Sequence, residues 1–176
     1  MMKEQLAELW NLSRAGDMNA YQSLHQLLYP QLSAYIQQIF FDGEQTNDVL
    51  QDVFIKLWQK RQSIGPVDYV KAYFYRTARC VALNKLRDEK SDAERNTFFQ
   101  QAIPAREQGS EPLRALSNAL DQLPCRRREI IFLRFYAQMD YEQIAEVTGI
   151  QYQSVTESCS PGYSELKIVN GTGRAD

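Results

Sequence analysis

From Ala20 to Trp58 the apolar residues return every three or four positions, as in Ala20, Leu24, Leu27, Leu28, Leu32 and Tyr35, and no stretch alternates polar with apolar. A period of about 3.6 lines such residues along one face of a helix, whereas a half-buried strand needs a period of two. The chain is therefore expected to be all-α. Gly16-Asp17 divides an amphipathic opening segment, MMKEQLAELWNLSR, from the next helix, with the glycine ending one and the aspartate capping the other. A third segment, Asn47 to Lys60, carries Val49, Leu50, Val53, Phe54, Leu57 and Trp58 in pairs one turn apart, with Asp48, Gln51, Asp52 and Lys56 between them. Ser63-Ile64-Gly65-Pro66 reads as a loop, and a fourth helix follows from Tyr69 to about Asp88.

The periodicity lapses from about Ser91 to Pro112, where Pro104, Gly109, Ser110 and Pro112 are residues typical of a linker. The 176 residues thus divide into two small helical domains, 1–90 and 113–176, joined by a flexible linker over 91–112. Leu123 to Gly149 has the punctuation of a helix-turn-helix. Pro124 suits a first helical position, where its missing N–H costs nothing, and Ile130, Ile131, Leu133 and Phe135 supply a buried face behind it. Asp140 and Gln143 form a D-x-x-Q variant of the capping box, and Gly149 is placed to end the second helix in a left-handed cap. A third helix should begin near Gln151 and present base-reading side chains at Gln153, Ser154 and Thr156. From Thr156, however, the chain runs TESCSPGYSELK, with Pro161 and Gly162 in mid-helix and two acids facing a polyanion. An interior proline costs about 3 kcal/mol of helix stability, so this segment is not expected to dock on DNA.

The formal net charge of -2 is unhelpful for nucleic acid in total, but charge is informative by segment. Tyr69 to Lys90 carries six Lys or Arg against Asp88 and Glu89, and Leu123 to Tyr136 carries Arg126, Arg127, Arg128 and Arg134 against Glu129 alone. The first island also holds Tyr69, Tyr73, Phe74 and Tyr75. Cations that track a backbone and rings that stack on bases suit a melted strand, although the same composition fits a helix with a packed aromatic side and a solvated charged side. The Asn47 to Lys60 helix is equally open to two readings, a buried stripe or a protein-docking face.

Other classes find no residues here. No run of about 18 apolar residues exists for a membrane span, and the N-terminus lacks the pattern of a signal peptide, so a cytoplasmic protein without direct membrane insertion is expected. Cys80, Cys125 and Cys159 are odd in number and far apart, which supports neither a disulfide framework nor a metal site. His25 stands alone and is expected to pack or face solvent rather than bind metal. With no Gly-rich phosphate loop, no H-E-x-x-H and no nucleophile beside a base, no enzyme and no cofactor are expected.

In this order the blocks resemble the extracytoplasmic-function group of bacterial sigma factors, the two-domain initiation subunits of RNA polymerase. The resemblance runs from about Ala15 to Val155. Gly16-Asp17 followed by Ala20 is similar to the family's opening helix, Asn47 to Trp58 (NDVLQDVFIKLW) to its region two polymerase-docking helix, Val70 to Arg79 and on to Arg87 to the helix that opens the minus-ten element, and Leu120 to Val155 to region four. The resemblance implies that Asp48, Gln51, Asp52 and Phe54, with Leu57 and Trp58 on the same helix, contact a coiled coil of the largest polymerase subunit. It implies that Lys71, Tyr73, Arg76, Arg79, Lys85 and Arg87 lie along the promoter strand. The loop from Arg61 to Asp68 would help hold a flipped base, whose extrusion costs a few kcal/mol. Implied partners are core RNA polymerase, promoter DNA and an anti-sigma factor.

Two departures bear on this expectation. Cys80 and Asn84 stand where the family usually has Asn and often has Asp, and a thiol is a poor hydrogen-bond donor to a base. In region four the family's third helix carries Lys or Arg after the valine matched by Val155, and farther on another Arg and a small residue, where this chain has Thr156, Pro161 and Gly162. Each missing bidentate pairing with a base removes about 1–3 kcal/mol of discrimination, so minus-thirty-five reading through Gln153, Ser154 and Thr156 is expected to fail. Two other readings remain: a sigma-like polymerase binder or decoy that no longer reads DNA, and a generic helix-turn-helix repressor, which leaves the Asn47 and Tyr69 blocks as coincidence. Back-translation offers a cause for the altered tail. Thr156 to Glu165 can be encoded by bases that, read one nucleotide later, give Arg-Asn-His-Val-His-Arg-Ala-Ile-Arg-Asn, a basic segment similar to the family's recognition helix.

Overall fold

A computed structural model describes residues 2–37, 43–65, 67–89 and 123–159. The described residues are helical, with no strand among them. Four helices, α1 (Met2–Arg14), α2 (Met18–Ile36), α3 (Gly43–Lys60) and α4 (Val70–Glu89), form a bundle. A second module contains α5 (Cys125–Ile131), which runs directly into a wide turn over Phe132–Tyr136, then α6 (Tyr141–Thr148) and a last helix, α7, over 152–159. The linker expected over 91–112 and the module start expected at 113 lie outside the described residues.

The chain is punctuated largely where its residues predict. Gly16 takes a φ of 102°, open to glycine without a Cβ penalty. Asp17 then caps α2, its carboxylate accepting from the Asn19 and Ala20 amides at 2.8 and 3.1 Å. In the second module Asp140 and Gln143 form the reciprocal capping box, and Gly149 closes α6 at a φ of 70°. Pro124 differs by one position: it precedes the helix in extended backbone, and Cys125 begins α5. The wide turn is closed by a bond from the Ala137 amide to the Phe132 carbonyl at 3.1 Å, spanning five residues, and Gln138 at a φ of 54° reverses the chain. Phe135, expected on the buried face, is 62% exposed. Burial follows Ile130, Leu133 and Ala137, and Phe135 stands more than a quarter turn from that stripe.

Trp10, Leu24, Leu28, Leu32, Val49, Leu50, Val53, Leu57 and Phe74 are buried at the centre of the bundle. The Trp10 and Phe74 rings meet edge to face with centroids 5.6 Å apart. His25 lies against Phe54 at 4.4 Å and Tyr29 at 5.0 Å, and burial lowers its pKa, in keeping with a packing role. Ile130, Leu133, Ala137, Met139, Ile144, Val147 and Val155 of the second module join the same contiguous cluster of buried residues. The two modules pack against one another, chiefly α4 against α6.

Truncating this core should be costly. Leu24→Ala, at a fully buried position, is expected to lower unfolding free energy by about 2–5 kcal/mol. Leu12→Ala, at a position 44% exposed, should cost less than about 1 kcal/mol. Urea titration with a shared m-value checks both.

Candidate nucleic-acid interface

Helix α4 carries two sets of side chains at helical spacing. Arg76, Cys80, Asn84 and Arg87 recur every three or four residues and are exposed. Lys71, Tyr75 and Arg79 recur every four residues on another side, which faces the second module. The Lys71 ammonium donates to the Ala137 carbonyl at 2.7 Å, and burial lowers its pKa. The Arg79 guanidinium donates to Glu129 through Nε at 2.8 Å and Nη2 at 3.4 Å. Burial works against the Arg79 charge, but the hydrogen bond and charge of Glu129 outweigh it and raise the pKa.

Glu129 is also the acceptor for Tyr35 of α2, whose hydroxyl donates to Oε1 at 2.5 Å. Burial first, and the Glu129 charge second, hold the Tyr35 pKa well above the phenol value. One carboxylate thus ties α5 to both α2 and α4. A weaker link joins the Tyr69 hydroxyl to Glu142 of α6 at 3.4 Å, and the Glu142 charge raises the Tyr69 pKa. Sequence reasoning missed Glu129, Tyr35 and the Ala137 carbonyl. The available signal was Glu129 itself, a lone acid within an arginine-rich island.

The six side chains expected along one strand are therefore divided. Arg76 and Arg87 are exposed, Lys71 and Arg79 hold the second module, and Tyr73 packs against Trp10 with ring centroids 6.4 Å apart. Lys85 donates to Asp48 of α3 at 3.2 Å, an exposed pair that contributes little stability but sets the two helices' surfaces side by side.

On α3, Asp48, Gln51, Asp52 and Ile55 share an exposed face. Phe54 and Leu57, expected among the polymerase contacts, are 6% and 2% exposed, because they sit on the stripe that builds the bundle core. The Phe54 carbonyl accepts from the Tyr21 hydroxyl at 2.6 Å. Trp58 is half-buried beneath Arg61, whose guanidinium lies 3.8 Å from the ring centroid and donates to the Trp58 carbonyl at 2.7 Å. That stacking fixes the start of the loop expected to receive a flipped base.

On α7, Gln153 and Ser154 are exposed and Thr156 is half-buried, while Val155 anchors the helix in the core. The Thr156 hydroxyl donates to the Gln153 carbonyl at 2.7 Å, and Gln153 Nε2 donates to Glu157 at 3.3 Å. These groups are spent on their own helix. The helix runs through 159, short of the break expected at Pro161 and Gly162, which with the rest of 160–176 lie outside the described residues.

Comparison with known proteins agrees with these two modules. Family models for sigma-70 region 2 and sigma-70 region 4 match residues 24–91 and 113–156, together well over half of the chain. RNA polymerase sigma factor SigV of Bacillus subtilis (strain 168) is 29% identical over 126 residues, 69% of this chain and 72% of that protein. Among solved structures, CnrH in complex with the cytosolic domain of CnrY is similar at a TM-score of 0.66 and 20% identity, covering 97% of this chain and 99% of that one. The sigma factor RpoE in complex with the anti-sigma factor NepR from Bartonella quintana is similar at a TM-score of 0.63 and 22% identity, covering 88% of this chain and 98% of that one. Two helical modules, two family matches in chain order and a sigma-factor relative lead to one conclusion: the chain belongs to the sigma-70 family and is an RNA polymerase sigma factor of the extracytoplasmic-function type.

Proposed function

We propose that this sigma factor docks on core RNA polymerase through the exposed face of α3 and stabilises the melted promoter strand along α4, with the chemistry of initiation left to the polymerase. The observation that carries this reading is the juxtaposition made by Lys85 and Asp48, which sets an acidic and Gln-bearing face beside a cationic one. Polymerase held on one face would deliver DNA to the other. The functional division is 1–90 for docking and the minus-ten element, 91–112 as linker and 113–176 for the region four module. The named partners of two structural neighbours, NepR and the cytosolic domain of CnrY, support an anti-sigma partner here as well. Run-off transcription with purified core polymerase tests the whole: promoter-dependent product supports it, polymerase binding without product points to a decoy, and no polymerase binding points to a repressor.

Two substitutions separate docking from strand contact. Asp48→Ala with Gln51→Ala should weaken core-polymerase affinity while helical content by circular dichroism stays unchanged. Arg76→Ala with Arg87→Ala should flatten the salt dependence of strand binding, the logarithmic slope falling by about 0.7 for each phosphate that is no longer neutralised. An unaltered slope would count against strand binding through these arginines.

For the altered tail we propose a change of reading frame at about Thr156. The region four match ends at this residue, and from Thr156 to Leu166 the chain has no Lys or Arg. The genetic code constrains the alternative frame independently of third-base choice. Reading one nucleotide later puts Val or Ala in place of Cys159, Ile or Thr in place of Tyr163, and Lys or Arg in place of Lys167. With the buried Val155, the first two give a stripe at four-residue spacing, as a continuing amphipathic helix needs. Sequencing the gene decides the matter. Codons compatible with the basic peptide, and a one-base deletion at codon 156 that restores minus-thirty-five-dependent transcription, are the expected results; codons that place stops or acids in that frame would end the idea.

A further inference from the structure

We infer that α1 is part of the strand-binding surface, with Lys3 and Arg14 each taking a phosphate of single-stranded DNA beside the Tyr73 end of α4. This rests on the reading of α4 as the strand-binding helix. The region 2 match begins at residue 24, so α1 lies ahead of the segment which that match covers. Its contacts nevertheless lead to α4. Trp10, 1% exposed, meets the Phe74 ring edge to face and the Tyr73 ring at 6.4 Å between centroids, and the Lys3 ammonium lies 4.2 Å from the centroid of the Tyr69 ring. Lys3, Trp10 and Arg14 recur at a spacing of about two turns and then one, which puts all three on one side of α1.

That side borders the exposed stripe of α4. Tyr73 stands one turn before Arg76, so the stripe of Arg76, Cys80, Asn84 and Arg87 continues back to the ring against which Trp10 packs. Burial raises the Tyr73 pKa and the Arg76 charge opposes it, in keeping with a cation close to the phenol. On the other sides of α4 the cations are committed, Lys71 to the Ala137 carbonyl, Arg79 to Glu129 and Lys85 to Asp48. Arg14 is not: it has no hydrogen bond or ion pair among the described residues, and its Nε is buried without a partner. A phosphate reaching its remaining N–H groups would displace no carboxylate, and charge-assisted bonds of this kind are among the strong ones. The acids of α1, Glu4 and Glu8, stand about 100° and 140° round the helix from Lys3, and do not share the side that faces α4. Lys3 and Arg14 are about 16 Å apart along the helix axis, too far to share one phosphate, so each neutralises its own.

The test is the salt dependence with which the full chain, assembled with core polymerase, binds a fluorescent single-stranded oligodeoxynucleotide of mixed sequence. Lys3→Gln with Arg14→Gln should flatten the logarithmic slope by about 1.4, two phosphates at about 0.7 each. Arg14→Lys should keep the native slope, because it retains the charge while changing the packing of the side chain; a slope that falls as far in Arg14→Lys as in Arg14→Gln would overturn the assignment to charge. Glu8→Gln, at an exposed position on another side of α1, should leave the slope as it is. A slope unaltered in the α1 pair but flattened in Arg76→Ala with Arg87→Ala would overturn the part given to α1 and leave the reading of α4 standing. Slopes unaltered in both pairs would overturn the two together.

Discussion

A single carboxylate organises the two modules. Glu129 receives the Tyr35 hydroxyl from α2 and the Arg79 guanidinium from α4, and α5 is thereby held against both. Partly buried charge-assisted bonds are among the stronger polar interactions in proteins, at about 1.5–3 kcal/mol each, and deleting one partner leaves the other charge in a poor environment. The surrounding apolar packing, with Ile130 and Leu133 joined to Tyr35 and Tyr75 in one buried cluster, gives area. Glu129 gives register, because it aligns α5 with two specific donors.

That register decides what α4 presents to solvent. Four-residue spacing puts Lys71, Tyr75 and Arg79 under the second module, and the interleaved spacing leaves Arg76 and Arg87 free of that cover. The proposed docking face on α3 lies clear of this contact, since Asp48, Gln51 and Asp52 are exposed with the modules packed together.

Much of the fold was legible because local rules fix it. Helical spacing placed α1 to α4, Asp17 and the Asp140–Gln143 box marked starts, and Gly16 and Gly149 marked ends. α3 began four residues before Asn47, since Gly43 to Thr46 lack the apolar spacing that periodicity detects. Site residues were legible only in part. A motif names a helix but does not say which residues of that helix face inward, so Phe54 and Leu57 were grouped with surface contacts although they build the core. The bond from Arg79 to Glu129 joins residues fifty positions apart, and such pairing follows from tertiary packing, to which neither period nor composition is sensitive. The lone acid in the arginine island was visible; its partner was not.

The central claim is that Glu129 holds the two modules in register through Tyr35 and Arg79. The most direct measurement is the distance distribution between spin labels at the exposed positions Asp52 of α3 and Gln153 of α7, recorded by pulsed electron resonance in the native chain and in Glu129→Gln. The account predicts one narrow distance in the native chain and a broader population in Glu129→Gln. An unchanged narrow distribution in Glu129→Gln would contradict it.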